Sequence, residues 1–227
     1  MELSAASAAA GDGRLLVLFA VNAEAGPFRR RWARVAPSHS GTVEVVVTGM
    51  GAANAERGFL AALDQSGPCG RIFTCGFAGG LDPDLPAGTV VFDASEDFPG
   101  RARWVATGAR PGRFHCAARV AVTPAEKAEL RRQTGAAAVE MESGVIRRLA
   151  AERGISAATV RVISDAAAEA LPLDFNATMT PDLRLSPARL AWQLVRSPGR
   201  IPELIRFGRS TAAAADRLAE FLVAALR

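Results

Sequence analysis

The chain has 227 residues, 49% hydrophobic and 22% charged, a balance that suits one α/β domain with a buried core and excludes disordered or fibrous classes. Its net charge of +4 comes from arginines spread along the sequence rather than from a basic, aromatic-rich face, which argues against nucleic-acid binding. Cys69, Cys75 and Cys116 have no metal-ligand spacing and His39 and His115 stand alone, so no metal site is expected.

Residues 1–13 are rich in Ala, Ser and Gly and are expected to be loose. Met1-Glu2-Leu3-Ser4 lacks the basic and apolar regions of a signal peptide, and no stretch reaches membrane-spanning length without charge; a cytoplasmic chain is expected. From 14 to 227 the sequence reads as one domain. Leu15 to Val21 and Val43 to Thr48 predict buried strands, Gly49-Met50-Gly51 a tight turn, and Ala52 to Leu63 a helix. Arg71 to Gly76 predicts a strand, with Cys75 as a small buried residue, and Phe77-Ala78-Gly79-Gly80 a loop after it. Thr89 to Phe92 is a further strand, and 95–118, broken by Pro and Gly, is expected to be irregular.

Thr123-Pro124-Ala125-Glu126 predicts a capped helix start, with Thr123 as N-cap and Glu126 closing a capping box. Glu142 to Arg153 predicts a helix stopped by Gly154, and Thr159 to Ile163 a strand. Residues 170–186 read as a loop, Ser186-Pro187 as the start of a helix through about Val195, and Pro198 and Pro202 as punctuation of a second short one. Ser210 or Thr211 is expected to cap a final helix with Leu218, Phe221, Leu222 and Ala225 on one face. Apolar strands alternating with helices predict an α/β three-layer sandwich: a mostly parallel central sheet flanked by helices, with a helical C-terminal extension.

The loops Asn22–Ala25, Gly49–Gly51, Gly76–Gly80 and Ser164–Ala166 all follow strands and would meet at one sheet edge, joined by the helix start at Glu142. Read from the residues alone, that is a small-ligand pocket with two or three carboxylates. Asp165 taken alone reads more readily as a turn or helix cap, and Glu142 as a first-turn acid favoured by the helix dipole.

Four signatures in order carry more: Gly49-Met50-Gly51, Gly76-x-Ala78-Gly79-Gly80-Leu81, Val139-Glu140-Met141-Glu142 and Ile163-Ser164-Asp165. Across residues 14–168 the chain resembles the nucleoside phosphorylase/nucleosidase superfamily, which cleaves the bond between a base and ribose with phosphate or water. The resemblance implies a phosphorylase-like fold and a homodimer or higher assembly. It also implies that Asp165 protonates the purine and that Glu142 binds the ribose hydroxyls beside Met141. Arg161 would support the site's charges, and Val120, Ala121 and Ser164 would face the base. Gly49, Gly51, Gly76, Phe77, Ala78 and Gly79 would form the pocket loops. A leaving-group acid must be partly neutral, and an ionised carboxylate binds hydroxyls strongly.

Water or phosphate decides the reaction class. Glu24 in Ala20-Val21-Asn22-Ala23-Glu24-Ala25 matches the water-activating glutamate of the nucleosidases; by itself it reads as a surface acid opening a helix capped by Asn22. Thr74 and Phe77 stand where the phosphorylases place an arginine and a serine. Gly49-Met50-Gly51 could still offer backbone N–H groups to an anion, although Asn54 replaces the third glycine of a dinucleotide fingerprint. Hydrolysis without a cofactor is therefore expected, with a phosphate-dependent phosphorylase of the same fold or a methylthioadenosine/S-adenosylhomocysteine nucleosidase as rivals and a non-catalytic nucleoside binder as a further one. Phe77 departs from the serine of methylthioadenosine/S-adenosylhomocysteine nucleosidases. With Thr123-Pro124-Ala125-Glu126-Lys127-Ala128 and the Arg/Pro-rich tail, the chain looks most like the hopanoid-associated branch, which implies adenosylhopane as substrate. Between Asp182 and Arg209, six arginines (184, 189, 196, 200, 206 and 209) oppose Asp182 and Glu203 and alternate with apolar residues. Such a segment fits either an anionic bilayer, making the protein membrane-peripheral through 184–209, or a helical arm packed on the core or on another subunit.

Overall fold

The computed structural model describes residues 13–35, 42–66 and 69–226. The expectations for 1–12 and His39 lie outside them. β1 (Arg14–Phe19), an unbroken apolar run, pairs in parallel with β2 (Val43–Val47) and with β3 (Cys69–Gly80). β3 is the longest strand and the axis of the site. One edge carries β1 up to the Phe19–Cys75 pair, and β7 (Ala138–Glu140) then joins antiparallel at Gly79 and Gly80. The other edge carries β8 (Ser156–Asp165) in parallel along nearly its whole length. β4 (Val90–Asp93), antiparallel to β8, and β5 (Arg110–Pro111) extend the sheet, and β6 (Phe114–Cys116) pairs with β7. The expected mixed, mostly parallel sheet flanked by helices is present.

α1 (Asn22–Trp32) and the C-terminal helix cover one face, where Phe19, Phe28, Phe73, Phe92, Phe98, Trp104 and Phe221 form an aromatic core. α2 (Ala52–Ser66) and α5 (Ser143–Ala151) cover the other through Phe59, Ile72, Ile146 and Leu149. Cys75 is buried as expected. α4 (Pro124–Thr134) begins with the predicted capping box: Thr123 Oγ1 accepts from Glu126 N, and Glu126 accepts from Thr123 N.

Five expectations need correction. Residues 76–80 continue β3 rather than forming a loop, because β8 and β7 satisfy the backbone on both edges. Within 95–118 lies α3 (Arg101–Ala106), anchored by the buried Trp104. Residues 170–186 contain α6 (Phe175–Thr178), capped by Asp174. Val21, not Asn22, occupies the N-cap of α1. α7 (Pro187–Arg196) follows its prediction, but α8 runs unbroken from Ile201 to Leu226. Thr211 caps nothing: its hydroxyl donates back to Phe207 O within the helix. No helix among the described residues is long and apolar enough to cross a membrane.

Candidate active site

Arg161 is the centre of charge. It lies on β8 opposite Gly76, and its side chain is 1% exposed. Its Nη2 donates to Glu140 Oε2 at 2.6 Å, Glu142 Oε2 at 3.2 Å and Thr74 Oγ1 at 3.3 Å, while Nη1 donates to Cys75 O. Burying a guanidinium is tolerable only because carboxylates and carbonyls replace its water. Burial works against an ionised Glu140, yet Arg161 and the Ser143 and Glu142 donors hold its carboxyl below the ordinary range. For Glu142 burial wins over Arg161, and nearby Glu140 adds to it, so its carboxyl is raised.

Glu24 sits in the first turn of α1, where the helix dipole favours an acid. One oxygen does the local work: Oε2 accepts from Ala20 N at 3.1 Å and Val21 N at 3.2 Å. The other reaches across to β3, where Oε1 accepts from Phe77 N at 2.8 Å. Burial pushes this carboxyl up to about 7, against the attraction of Arg161 and the Phe77 N–H. Gly76 makes the close approach possible. At φ +146°, an added Cβ would lie 2.6 Å from both Glu24 Oε1 and Arg161 Nη1.

The two other acids are released from the capping jobs their positions suggest. Glu142 is the N-cap residue of α5 but caps nothing. Glu140 accepts from Glu142 N and Ser143 N instead, leaving Glu142 Oε1 to accept from Gly51 N at 2.8 Å. After Asp165, the turn is closed by Glu169 Oε2, which accepts from Ala166 N at 2.8 Å. Asp165 Oδ1 accepts from Ser164 Oγ at 2.5 Å. Its Oδ2 accepts no directed hydrogen bond and lies 2.5 Å from the Lys127 ammonium as an ion pair. Asp165 pairs with Gly79 and Glu24 reaches Phe77, so the two acids work near positions of β3 two residues apart, roughly 7 Å at ~3.3 Å per residue. That spacing can place one acid at each end of a glycosidic bond.

Three backbone donors beside the acids are taken within the protein: Gly51 N serves Glu142, Gly49 N donates to Ala20 O and Phe77 N serves Glu24. Among the described residues no cluster suited to a metal ion occurs.

The sequence profile of the phosphorylase superfamily matches residues 9–97 and 101–196. The chain belongs to the phosphorylase superfamily. No curated protein is similar enough in sequence to count as a relative. Among solved structures, the futalosine hydrolase of Helicobacter pylori superposes with a TM-score of 0.66 at 14% identity, covering 94% of this chain and 97% of that one. A 5′-methylthioadenosine/S-adenosylhomocysteine nucleosidase of the same organism gives 0.67 at 14% identity, with 95% and 98% covered. The Neisseria meningitidis nucleosidase bound to methylthio-immucillin-A gives 0.65 at 17% identity, with 94% and 98% covered. At these identities the likeness concerns the fold.

Within this phosphorylase-superfamily fold, Glu24, Glu142, Arg161, Gly49, Gly51, Gly76 and the Phe77 backbone form one cluster. Ser164, Asp165, Ala78 and Gly79 continue it along β3 and β8, with Ser164 Oγ also within reach of Ala78 O. Met141 is buried between Glu140 and Glu142. The Phe77 ring packs against the aromatic core. At Val120 the N–H donates to Asn176 Oδ1 at 2.9 Å and the C=O accepts from Asn176 Nδ2 at 3.0 Å, which leaves the carbonyl a second lone pair. Ala121 beside it is buried. Sequence reasoning gave no role to Glu140, Lys127, Thr74 or Asn176. For Glu140 the signal was an acid inside a buried strand; for Lys127, its being the only lysine among 27 basic residues. Thr74 and Asn176 gave none.

Proposed function

We propose that this protein hydrolyses the N-glycosidic bond of a purine nucleoside bearing adenine. The observation that carries the reading is that Glu24, Glu142 and Asp165 are arranged around one sheet edge while Glu140 and Glu169 do the capping. In this reading Glu24, poised near neutrality, takes a proton from water as the oxygen attacks the anomeric carbon. Asp165, once it has taken up a proton from solvent, gives it to the purine as the C1′–N bond breaks, and the bond's electron pair leaves with the base. Glu142 accepts from the ribose hydroxyls: its two oxygens each hold one donor in this structure, and a carboxylate has about four acceptor sites. Water is favoured over phosphate because Glu24 is buried beside the site and the Gly49, Gly51 and Phe77 N–H groups are engaged within the protein. No cofactor is needed; a phosphate-dependent phosphorylase of the same fold is the rival. A non-catalytic nucleoside binder would not need three buried carboxylates. Adenine release from adenosines with 5′ substituents from methylthio to long apolar chains, with and without phosphate, tests this. Release requiring phosphate would refute hydrolysis.

A second part concerns the substrate's tail. α7 buries no residue, and Leu185, Trp192, Val195, Ile201 and Ile205 stay exposed among Arg184, Arg189, Arg196, Arg200, Arg206 and Arg209. The inner faces are used, as where Phe207 meets Phe175 at 5.7 Å. The outer face suits an anionic bilayer at which a cytoplasmic enzyme could take a lipid-linked nucleoside such as adenosylhopane, in hopanoid biosynthesis. Flotation with phosphatidylglycerol vesicles tests the contact, and absence of co-flotation removes it. A homodimer or higher assembly completes the reading, tested by light scattering.

A further inference from the structure

Among the described residues, Lys127 is a wholly buried cation that the proposed reaction leaves without a task. Its side chain is wholly buried, a rare state for a strongly hydrated ammonium unless it is paired. The capping box at Thr123 and Glu126 fixes the start of α4, and Leu171 N donates to Val122 O, tying the chain after β8 to the residues just before that start. From this anchored turn Lys127 Nζ donates to Ala166 O at 2.8 Å and Glu169 O at 2.7 Å and lies 2.5 Å from Asp165 Oδ2. Gly79 lies beside the pair, at ordinary contact distance. An added Cβ there would stand 3.4 Å from Asp165 Oδ2 and 3.9 Å from Lys127 Cε.

One charge thus holds both the Asp165 carboxyl and the turn that follows it. A simple counter-ion could pair with the carboxyl alone. Gripping two carbonyls as well fixes the end of β8, and leaving-group protonation is sensitive to displacements of that kind. We propose that Lys127 is the positioning residue of the leaving-group acid, a role that rests on the nucleosidase reading of Asp165. The ammonium orients the Asp165 carboxyl toward the base. When the proton passes from Asp165 to the base nitrogen and the C1′–N electron pair leaves with the base, the carboxylate left behind faces a fixed positive charge.

The test compares two substrates in the full chain: adenosine, whose base needs a proton to leave, and 4-nitrophenyl β-riboside, whose phenolate leaves without one. In Lys127→Met the kcat for adenosine should fall by about 10²-fold or more, with KM changed by less than about threefold, while the aryl riboside rate stays within about fivefold. Equal losses on both substrates in a folded protein would make Lys127 structural support and overturn the proposal, as would an unchanged rate on adenosine. Because the single variant leaves Asp165 buried without a partner, Lys127→Met/Asp165→Asn is measured beside Asp165→Asn. Matching rates are expected, since Lys127 acts through Asp165; a further loss in the double variant overturns the proposal. A wild-type chain that cleaves neither these substrates nor any of the 5′-substituted adenosines fails the nucleosidase reading itself. One that cleaves both, with equal losses in the variant, fails only the role of Lys127.

Discussion

Replacing Arg161 with methionine should unfold the site's charge balance more than its packing. Arg161 and Glu140 side chains are each 1% exposed and Glu142 is 8% exposed, so no solvent compensates for a lost partner. Removing one member of a buried ion pair costs about 3–5 kcal/mol, and two carboxylates depend on this one. For a chain of this size each kcal/mol moves the melting temperature by ~2–4 °C, which gives a fall of about 6–20 °C. The loss should also depend on pH in a definite direction. Without the guanidinium, burial dominates and favours neutral carboxyls, so the folded state holds protons that the unfolded state releases. Stability of the variant then falls as pH rises, and its deficit against wild type should be smaller at pH 5 than at pH 8. Calorimetry or urea unfolding at the two pH values measures both effects. A deficit under about 1 kcal/mol at pH 8, or one that grows toward pH 5, would refute the account of Arg161 as the shared counter-charge.

The remaining predictions concern the acids and the glycine between them. With Glu24 raised to about 7, kcat/KM should climb with pH along an acid limb near that value, and Glu24→Gln should abolish turnover while nucleoside binding, measured by calorimetry, survives. The same raised value means that the stabilising contribution of protonated Glu24 is complete below its unfolded value of 4.5 and is lost as pH rises through about 7. The stability of Glu24→Gln relative to wild type should therefore rise from pH 5 to pH 8, by on the order of 3 kcal/mol, whatever offset its amide N–H₂ adds by facing a backbone donor. Asp165→Asn should lower adenine release by ~10²–10⁴-fold with little change in affinity for the intact nucleoside. Gly76→Ala forces Glu24 and Arg161 apart and should cost at least about 10²-fold in kcat, read in the same release assay; a wild-type rate would show that their approach is not needed.

How far the sequence reveals this molecule depends on where the deciding interactions lie. The apolar runs at Leu15 and Val43 and the Thr123 capping box are local signals, and the strands and helix form where those signals stand. β7 escaped because three residues, Ala138–Glu140, carry too short a pattern, and its partners on β3 and β6 lie far away in sequence. The break expected near Ser210 failed because Leu218, Phe221 and Leu222 pack the helix onto the core, and that burial outweighs the ~1 kcal/mol that Gly208 costs in a helix interior. In the site, Glu24, Glu142 and Asp165 were legible as acids after strands, but their freedom to act was not. That freedom depends on Glu140 and Glu169 taking over the caps, on Arg161 crossing from β8, and on Lys127 arriving from α4. Each is a contact between segments that the sequence does not place side by side.

The central claim is that water, activated by Glu24, is the nucleophile. The most direct measurement is cleavage of adenosine in ¹⁸O-labelled water, with and without phosphate, followed by mass analysis of the sugar. Free ribose labelled at its anomeric oxygen, formed equally in both conditions and absent in Glu24→Gln, is the result expected. Ribose 1-phosphate, formed only when phosphate is present, would contradict it.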